Sequence, residues 1–550
     1  MPRGEELLPR SGIVLLLLIL PWWAGAEPPA PAPPAHALAP FIHAQLAQVA
    51  VEPVTVPDGP RVAVSDGVIR FYAERAYAPA WEDPARFAAL LAALANVADD
   101  GLRPQDYLID LLPTLRADGG QSPARRAWAD VLATHALFEA LAHVHGGKVD
   151  PDREQPVWHF ETRPTTPPAW LGAIQNAVEG RDLAGLIERA RPPHPIYRAL
   201  REGLRELRRV AAAGGWPEVP PGPALKPGMH DARLPALRRR LVAGGYLPTG
   251  GPPGARHDDA FYDSALVEAV ARFQQEQYLE PDGVVGAATL AALNVPVADR
   301  IEQLRVNLER ARWMLRELRG DLVLVDIAGY RIVYFRGSRP VWRARVQVGR
   351  PYRSTPSFRS EITYFTFNPT WTLPPTILRE DVLPHVRADI GYLARNRMRV
   401  LDRLGVELDP ALVDWSHPEG LLLRQDAGPG NALGQVAIRF PNPHAVYLHD
   451  TPNKRLFERG QRAFSSGCIR VENPLELVEL LLDDPERWDR PAIEALIATG
   501  RTRNVPLPRP VPILLLYWTV DVHAGGRIAF KPDIYGRDAP LLQALSAHRP

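Results

Sequence analysis

The sequence predicts a multidomain α+β protein: an N-terminal α-helical scaffold, a small three-helix module, and a mostly-β domain interrupted by a helical and irregular insertion. Three observations predict it. At roughly 100–200 residues per domain, 550 residues call for three or four domains. Apolar residues spaced by three and four dominate up to about residue 319 and give way to alternation at Leu322. Proline-rich stretches at Pro28–Pro40 and Pro217–Pro227 separate the parts. With 46% hydrophobic and 23% charged residues, most of the chain has the composition of packed cores.

Residues 1–26 read as a secretory signal peptide. Arg3 and Arg10 flank a weak basic region, Ile13–Leu20 is apolar, and Ala24-Gly25-Ala26 is a small-x-small cleavage pattern. The apolar run falls short of the ~20 residues that span a bilayer. The expectation is export to the periplasm, with an uncleaved membrane tether as the alternative. No cysteine near the N-terminus offers a site for a lipid anchor. Residues 27–40 favour extended polyproline II and read as a tether.

From 41 to 218 the pattern is helical, clearest at Phe87–Val97 and Trp128–His145. His135, His143 and His145 read as packing histidines, since no carboxylate or cysteine completes a zinc set. Residues 228–295 form a module with helices at Leu234–Leu241, Ser264–Gln277 and Ala287–Leu293, and a tight turn at Asp282-Gly283. Val297, Ile301, Leu304, Leu308, Ala311, Leu315 and Leu318 make a seam predicting a linker helix over 297–319. The β domain spans 320–535. Leu322–Ile327 and Arg331–Phe335 read as a hairpin. Further strands are expected at Trp342–Val348, Glu361–Phe367, Val436–Phe440, Ala445–His449 and Ile513–Val522. Residues 374–433 between them read as helical and irregular, with a short helix at Leu378–Leu383. Insertions of that length often serve as lids or binding loops.

Several chemistries are excluded. Only Lys148, Lys226, Lys454 and Lys531 are lysines, and none sits in a P-loop or a Ser-x-x-Lys site. Sixty-four basic against 63 acidic residues give a net charge of +1, so no global field favours nucleic acid. One cysteine allows neither an internal disulfide nor a multi-cysteine metal site.

That cysteine lies in Phe464-Ser465-Ser466-Gly467-Cys468-Ile469-Arg470-Val471. A lone cysteine is most often a small buried hydrophobe. Here its neighbours are polar, an exported thiol is an oxidation liability, and His449 ends a predicted strand 19 residues upstream. Asn473-Pro474 then opens a helix at Leu475–Leu482, with asparagine as its N-cap. A free thiol is only a few per cent thiolate at neutral pH, so it needs a base. An imidazole that takes its proton leaves a thiolate–imidazolium pair. The Gly467 and Cys468 amides are candidate oxyanion donors, and Arg470 either meets a substrate carboxylate or braces the loop.

Two resemblances follow. Phe273-Gln274, Leu279, Asp282-Gly283-Val284-Val285-Gly286, Thr289 and Leu293-Asn294 resemble the peptidoglycan-binding type 1 domain. Tyr447-Leu448-His449-Asp450-Thr451-Pro452 followed by Ser465-Ser466-Gly467-Cys468-Ile469-Arg470-Val471 resembles the signature of the L,D-transpeptidases, the YkuD fold. Asp450 stands where that pattern has glycine. With Asn368-Pro369-x-Trp371 and Leu373-Pro374, the chain is similar to the large YcbB-like subgroup, whose capping subdomain matches the 374–433 insertion. The resemblance implies Cys468 as nucleophile, His449 as general base and acid, and Gly467 as an oxyanion backbone donor. It implies Ser466 and Arg470 as loop-shaping residues, and Tyr447 and Trp371 as substrate-binding ones. It implies no metal or cofactor, tetrapeptide-donor and diaminopimelate-acceptor stems of peptidoglycan as substrates, carbapenems as inhibitors, and other cell-wall synthesis proteins as partners. The implied reaction is 3→3 cross-linking. An L,D-carboxypeptidase or cross-link hydrolase using the same residues, and a non-catalytic wall-binding scaffold, are the alternatives.

Overall fold

The computed structural model describes residues 36–50, 54–55, 61–118, 122–154, 158–159, 170–248, 258–316 and 318–547. The expected export segment 1–26 and residues 27–35 of the tether lie outside the described residues. Ala39 and Pro40, assigned to the tether from sequence, instead open the helix Ala39–Val49, because proline's fixed φ suits a first helical turn. No helix among the described residues is long and apolar enough to cross a membrane.

In the N-terminal region Asp83 caps the helix Pro84–Asn96, accepting from the Ala85 and Arg86 amides. At its centre runs α1 (Pro123–Gly146), whose Val131, Leu137 and Leu141 are fully buried among the surrounding helices. His143 shares a hydrogen bond with the Tyr107 hydroxyl at 3.1 Å, and the His145 ring packs on Trp170. A further helix, α2 (Pro195–Ala212), closes this region.

The small module consists of Leu234–Ala243, Ser264–Glu276 and Ala287–Leu293 around Leu237, Leu266, Val270 and Phe273. Gln274 holds its turn, donating to Asp282 (2.8 Å) and accepting from the Gly283 amide (2.8 Å). Gly283 needs its φ of +69°, and the Val267 side chain would crowd any Cβ there. The module docks on the β domain through the Tyr278 hydroxyl, which donates to Asp521 at 3.1 Å.

The β domain is a closed sheet. Its strands are β1 (Leu322–Asp326), β2 (Arg331–Arg336), β3 (Arg339–Gly349), β4 (Ser357–Phe367), β5 (Val436–Arg439), β6 (Leu448–His449), β7 (Ala463–Ser465), β8 (Ile469–Val471) and β9 (Arg503–Leu516). The path β5-β6-β8-β3-β2-β1-β9-β4 returns to β5, so the eight strands have no free edge; β7 adds to β3 outside the ring. Alternation sorts the side chains. Val323, Val325, Ile513 and Leu515 fill the interior, while Leu322, Leu324, Leu514 and Leu516 face helices outside.

Those outer residues pack on α2 and on α3 (Val297–Met314). Sequence spacing predicted a linker with one apolar seam over 297–319, but α3 ends at Met314 and is buried on every side from Leu304 to Arg312. Its polar residues are bonded rather than solvated. Arg312 pairs with Glu309 and donates to the Asp100 carbonyl (2.7 Å) and Tyr197 hydroxyl (3.1 Å). Glu309 also accepts from the Val149 amide at 2.7 Å, and Arg310 pairs with Asp538 at 2.6 Å. The Asn307 amide group exchanges two 2.8 Å hydrogen bonds with Thr519. This diversion of backbone bonding breaks the expected strand 513–522: β9 stops at Leu516, and Val520–Val522 pairs separately with Ile528–Phe530.

Three other expectations change. The Ala445–His449 strand shortens to two residues, because Asn442 takes the His444 and Val446 amides into a turn and Ala445 has φ of +53°. Asn473 does not cap with its side chain; it sits in the left-handed region (φ 51°, ψ 49°), which asparagine tolerates, ahead of the helix Pro474–Leu482. The insertion is not merely helical and irregular. Met398–Leu401, Glu407–Leu408 and Leu422–Gln425 join Trp371–Thr372 in an antiparallel sheet over an apolar cluster. Its helical part runs from Pro375 to Ala388 through a π-turn at Leu378–Val382, where the Leu383 amide bonds back to the Leu378 carbonyl. Pro384 has no amide to offer the Glu380 carbonyl, so the ladder shifts register one turn before it.

Glu309 and Arg312 are both fully shielded from solvent, so removing one charge strands the other. Glu309→Gln is expected to lower stability by about 3–5 kcal/mol. Glu309→Leu with Arg312→Met should cost less than the single change, a comparison read from urea denaturation followed by tryptophan fluorescence.

Candidate active site

The site is set by two neighbouring strands. β6 and β8 run parallel, with Leu448 opposite Ile469 and His449 opposite Arg470. Leu448, Ile469 and Val471 are fully buried in the barrel core. Alternation therefore turns Tyr447, His449, Cys468 and Arg470 toward the other face.

The thiol loop connects β7 to β8. Ser465 Oγ donates to the Cys468 carbonyl at 2.5 Å and accepts from the Gly467 amide at 3.1 Å. Gly467 has φ of +114°, and its carbonyl accepts from Thr355 Oγ1 at 2.9 Å. Ser466 is exposed, and its Oγ accepts from Arg353 at 2.8 Å. The Gly467 amide, expected as an oxyanion donor, is thus engaged by Ser465. The Cys468 amide has no hydrogen-bond partner among the described residues.

Cys468 is half-buried, and its Sγ donates to the Ala445 carbonyl at 3.7 Å. Burial pushes the thiol pKa above its ordinary value. The Tyr447 amide and hydroxyl, with Arg439 and Arg470, oppose that shift without cancelling it. His449 is buried, and its Nδ1 lies 2.5 Å from the Asp450 carbonyl oxygen. A carbonyl only accepts, so Nδ1 carries the proton and Nε2 has the free lone pair. Burial, with the positive charges of Arg470 and Arg439 nearby, lowers the His449 pKa to about 3. Burial thus disfavours the ionised form of both groups, and a thiolate–imidazolium pair must form against that cost.

Asp450, the departure from the usual glycine, has a built environment. Its carboxylate accepts from the Gln435 amide at 2.9 Å and pairs with Lys454, while its own amide donates to the Val436 carbonyl at 2.9 Å. Gly434 makes the space, since a Cβ there would sit 2.3 Å from Asp450 Oδ2.

Arg470 donates to the neutral Gln347 side chain at 3.2 Å and leaves its buried Nε without a partner. The Arg439 guanidinium lies 4.0 Å over the Tyr447 ring, and Arg350 donates to the Tyr352 hydroxyl at 2.9 Å. Among the described residues, no carboxylate makes a salt bridge to any of these three arginines. Trp371 stands on the short strand just ahead of the insertion and is half-buried against the insertion's apolar cluster, with no ring or hydrogen-bond contact to Cys468 or His449 among the described residues. No cluster of three or more histidine, cysteine, aspartate or glutamate side chains among the described residues is placed to hold a metal ion.

Sequence reasoning missed Ser465, Thr355, Arg353, Arg439 and the Asp450–Lys454 pair. The last had a signal in its spacing of four residues; Thr355 and Arg353 had none, being more than a hundred residues from the loop they hold.

Residues 320–505 match the "L,D-transpeptidase catalytic domain" family, 230–293 match the "Putative peptidoglycan binding domain" family, and 66–204 match a family described as "Scaffold domain". A "Putative L,D-transpeptidase" of Haemophilus influenzae is 35% identical over 243 residues, 44% of this chain and 49% of that protein, so the match spans about half its length. A solved L,D-transpeptidase from Xylanimonas cellulosilytica is 16% identical, with 54% of this chain and all (100%) of that one covered and a TM-score of 0.17. LdtMt1, solved in complex with imipenem, is 15% identical, with 36% of this chain and 59% of that one covered and a TM-score of 0.15. The chain thus carries an L,D-transpeptidase catalytic domain together with a peptidoglycan-binding type 1 domain.

A neutral resting pair has a kinetic signature. Alkylation of Cys468 by iodoacetamide should rise about tenfold per pH unit until pH passes the ordinary thiol value of ~8.5. A plateau between about pH 5 and pH 8, the window in which an ion pair would be fully formed, would mean that the thiolate is preformed.

Proposed function

We propose that the protein is a periplasmic L,D-transpeptidase that forms 3→3 cross-links between peptidoglycan stems through a cysteine acyl-enzyme. The observation that carries this reading is a half-buried thiol on the same face of the β6–β8 pair as an imidazole whose tautomer is fixed by the Asp450 carbonyl, with arginines nearby that lack carboxylate partners. Stem peptides are rich in carboxylates, and an unneutralised cationic cleft favours them.

In this reading Cys468 attacks the carbonyl of the peptide bond that follows diaminopimelate in a tetrapeptide donor. Its proton passes to His449 Nε2 as the S–C bond forms. A neutral pair loses little by waiting for substrate, because the charges are created only as the tetrahedral intermediate forms. The Cys468 amide faces the oxyanion, a contact typically worth about 2.7–4 kcal/mol. The intermediate collapses as the C–N bond breaks, and His449 returns the proton to the departing D-alanine amine. The side-chain amine of a second stem's diaminopimelate then attacks the thioester and gives a proton to His449, the C–S bond breaks, and His449 returns that proton to the departing Cys468 thiolate. Arg470 receives a substrate carboxylate, Tyr447 walls the cleft beside the thiol, and Trp371 acts from beside the capping insertion. The helical region serves as scaffold and the small module as the contact with the wall.

If water replaces the acceptor amine, the same residues give an L,D-carboxypeptidase. A carbapenem is expected to acylate Cys468 as well, since its strained lactam carbonyl offers the thiol the same attack.

Incubation with disaccharide-tetrapeptides, followed by mass spectrometry, tests the assignment. New 3→3 dimers that vanish in Cys468→Ala are the expected result. Shortened monomers alone would favour the hydrolytic alternative, and no cysteine-dependent change would leave only a wall-binding role.

A further inference from the structure

The segment from Gly349 to Thr355 lies between the thiol loop and the capping insertion and touches both. Toward the loop, Thr355 Oγ1 donates to the Gly467 carbonyl at 2.9 Å and Arg353 Nη1 donates to Ser466 Oγ at 2.8 Å. Toward the insertion, the same guanidinium pairs with Asp381 and, at 2.5 Å, with Glu380. Arg353 is only 10% exposed along its side chain, whereas Asp381 and Glu380 are 38% and 56% exposed. Both carboxylates stand on the π-turn Leu378–Val382, an irregularity that frequently marks functional positions in helices. The anchor behind Arg353 is firm. Gly349 donates to Thr355 Oγ1 (2.9 Å), the Tyr535 hydroxyl donates to the Gly349 carbonyl (2.7 Å), and a Cβ on Gly349 would meet the Arg353 carbonyl at 2.2 Å.

We propose that Arg353 is a positioning residue that couples the seating of the capping insertion to the geometry of the thiol loop. The proposal rests on the reading of Cys468 as nucleophile. When the insertion is seated, Glu380 and Asp381 orient the guanidinium, which fixes Ser466 and through it the Gly467–Cys468 peptide that faces the oxyanion. When the insertion lifts, the arginine loses both carboxylates, and Ser466 loses its donor. A planar, multi-donor guanidinium can bridge three acceptors at once, which a lysine ammonium on a flexible stem does less well. Acyl transfer from a bulky stem is thereby tied to a closed insertion, while a small alkylating reagent needs no such closure.

The test uses the full chain and four variants: Arg353→Gln, Glu380→Gln with Asp381→Asn, these three changes together, and Arg353→Lys. Amide hydrogen exchange should rise about tenfold in both 375–388 and 463–470 for the first two variants, and no further in the triple, as residues of one coupled unit behave. Dimer formation should fall about tenfold, mainly in kcat, while iodoacetamide alkylation stays within about twofold. Arg353→Lys should recover part of the loss. Exchange that rises in only one segment, additive effects in the triple variant, or equal losses of alkylation and cross-linking would each overturn the proposal. The carboxylate variant, altered only at partly exposed positions, keeps the test valid if Arg353→Gln misfolds. A wild-type protein that makes no dimers would refute the transpeptidase reading instead, with the exchange pattern still deciding the coupling.

Discussion

The parallel pairing of Leu448–His449 with Ile469–Val471 is the constraint from which the site follows. Parallel neighbours cannot be joined by a tight turn, so the chain must leave the sheet after His449 and return from the same side. The intervening residues carry much of the site's support. Asp450 and Lys454 lie at the start of the excursion, Gly460 packs against the turn of the small module, and Ser465–Gly467 shapes the approach to the thiol. Register allows little freedom. A slip of one residue would send His449 or Arg470 into the barrel and Leu448 or Ile469 out of it, at a cost the closed apolar core does not permit.

Electrostatics at this site are a contest between desolvation and nearby charge. Arg439 and Arg470 favour a thiolate and disfavour an imidazolium, while burial disfavours both ions. Burial prevails for the thiol, and for the histidine the two effects act together. Both groups are thereby biased toward their neutral forms, and the imidazole's tautomer is set: Nδ1–H on the Asp450 carbonyl, Nε2 open. Such an arrangement stores the fold's orienting energy in geometry rather than in charge, which suits a chain whose only thiol would otherwise be exposed to oxidation as a thiolate.

The supports of the site come from distant parts of the chain. α3 draws the helical region, the outer face of β9 and the C-terminal helix Asp538–Ser546 onto one buried column of paired charges and amides. The segment 349–355 does the same on a smaller scale, between the thiol loop and the insertion. In both places a polar side chain is buried because its partners arrive from elsewhere in the sequence. An apolar-spacing argument treats such residues as a solvated face. That is why α3 looked like a one-sided linker and why Arg353 carried no signal at all.

By itself the sequence determined the local elements and the chemical repertoire. Period-two alternation marked β1–β4, and proline and asparagine marked the helix starts. The neighbourhood of Cys468 singled out the thiol, because these features depend on residues close together in the chain. The tertiary structure alone decided which neighbours complete the site. It set His449 beside Arg470 in a parallel pair and committed the Gly467 amide to Ser465. It turned Asp450 into a clamp made possible by Gly434, gave the insertion a sheet, and kept Trp371 within it. It also set the direction in which the thiol and imidazole titrations shift, since desolvation is a property of everything packed around a group and not of the group's own sequence.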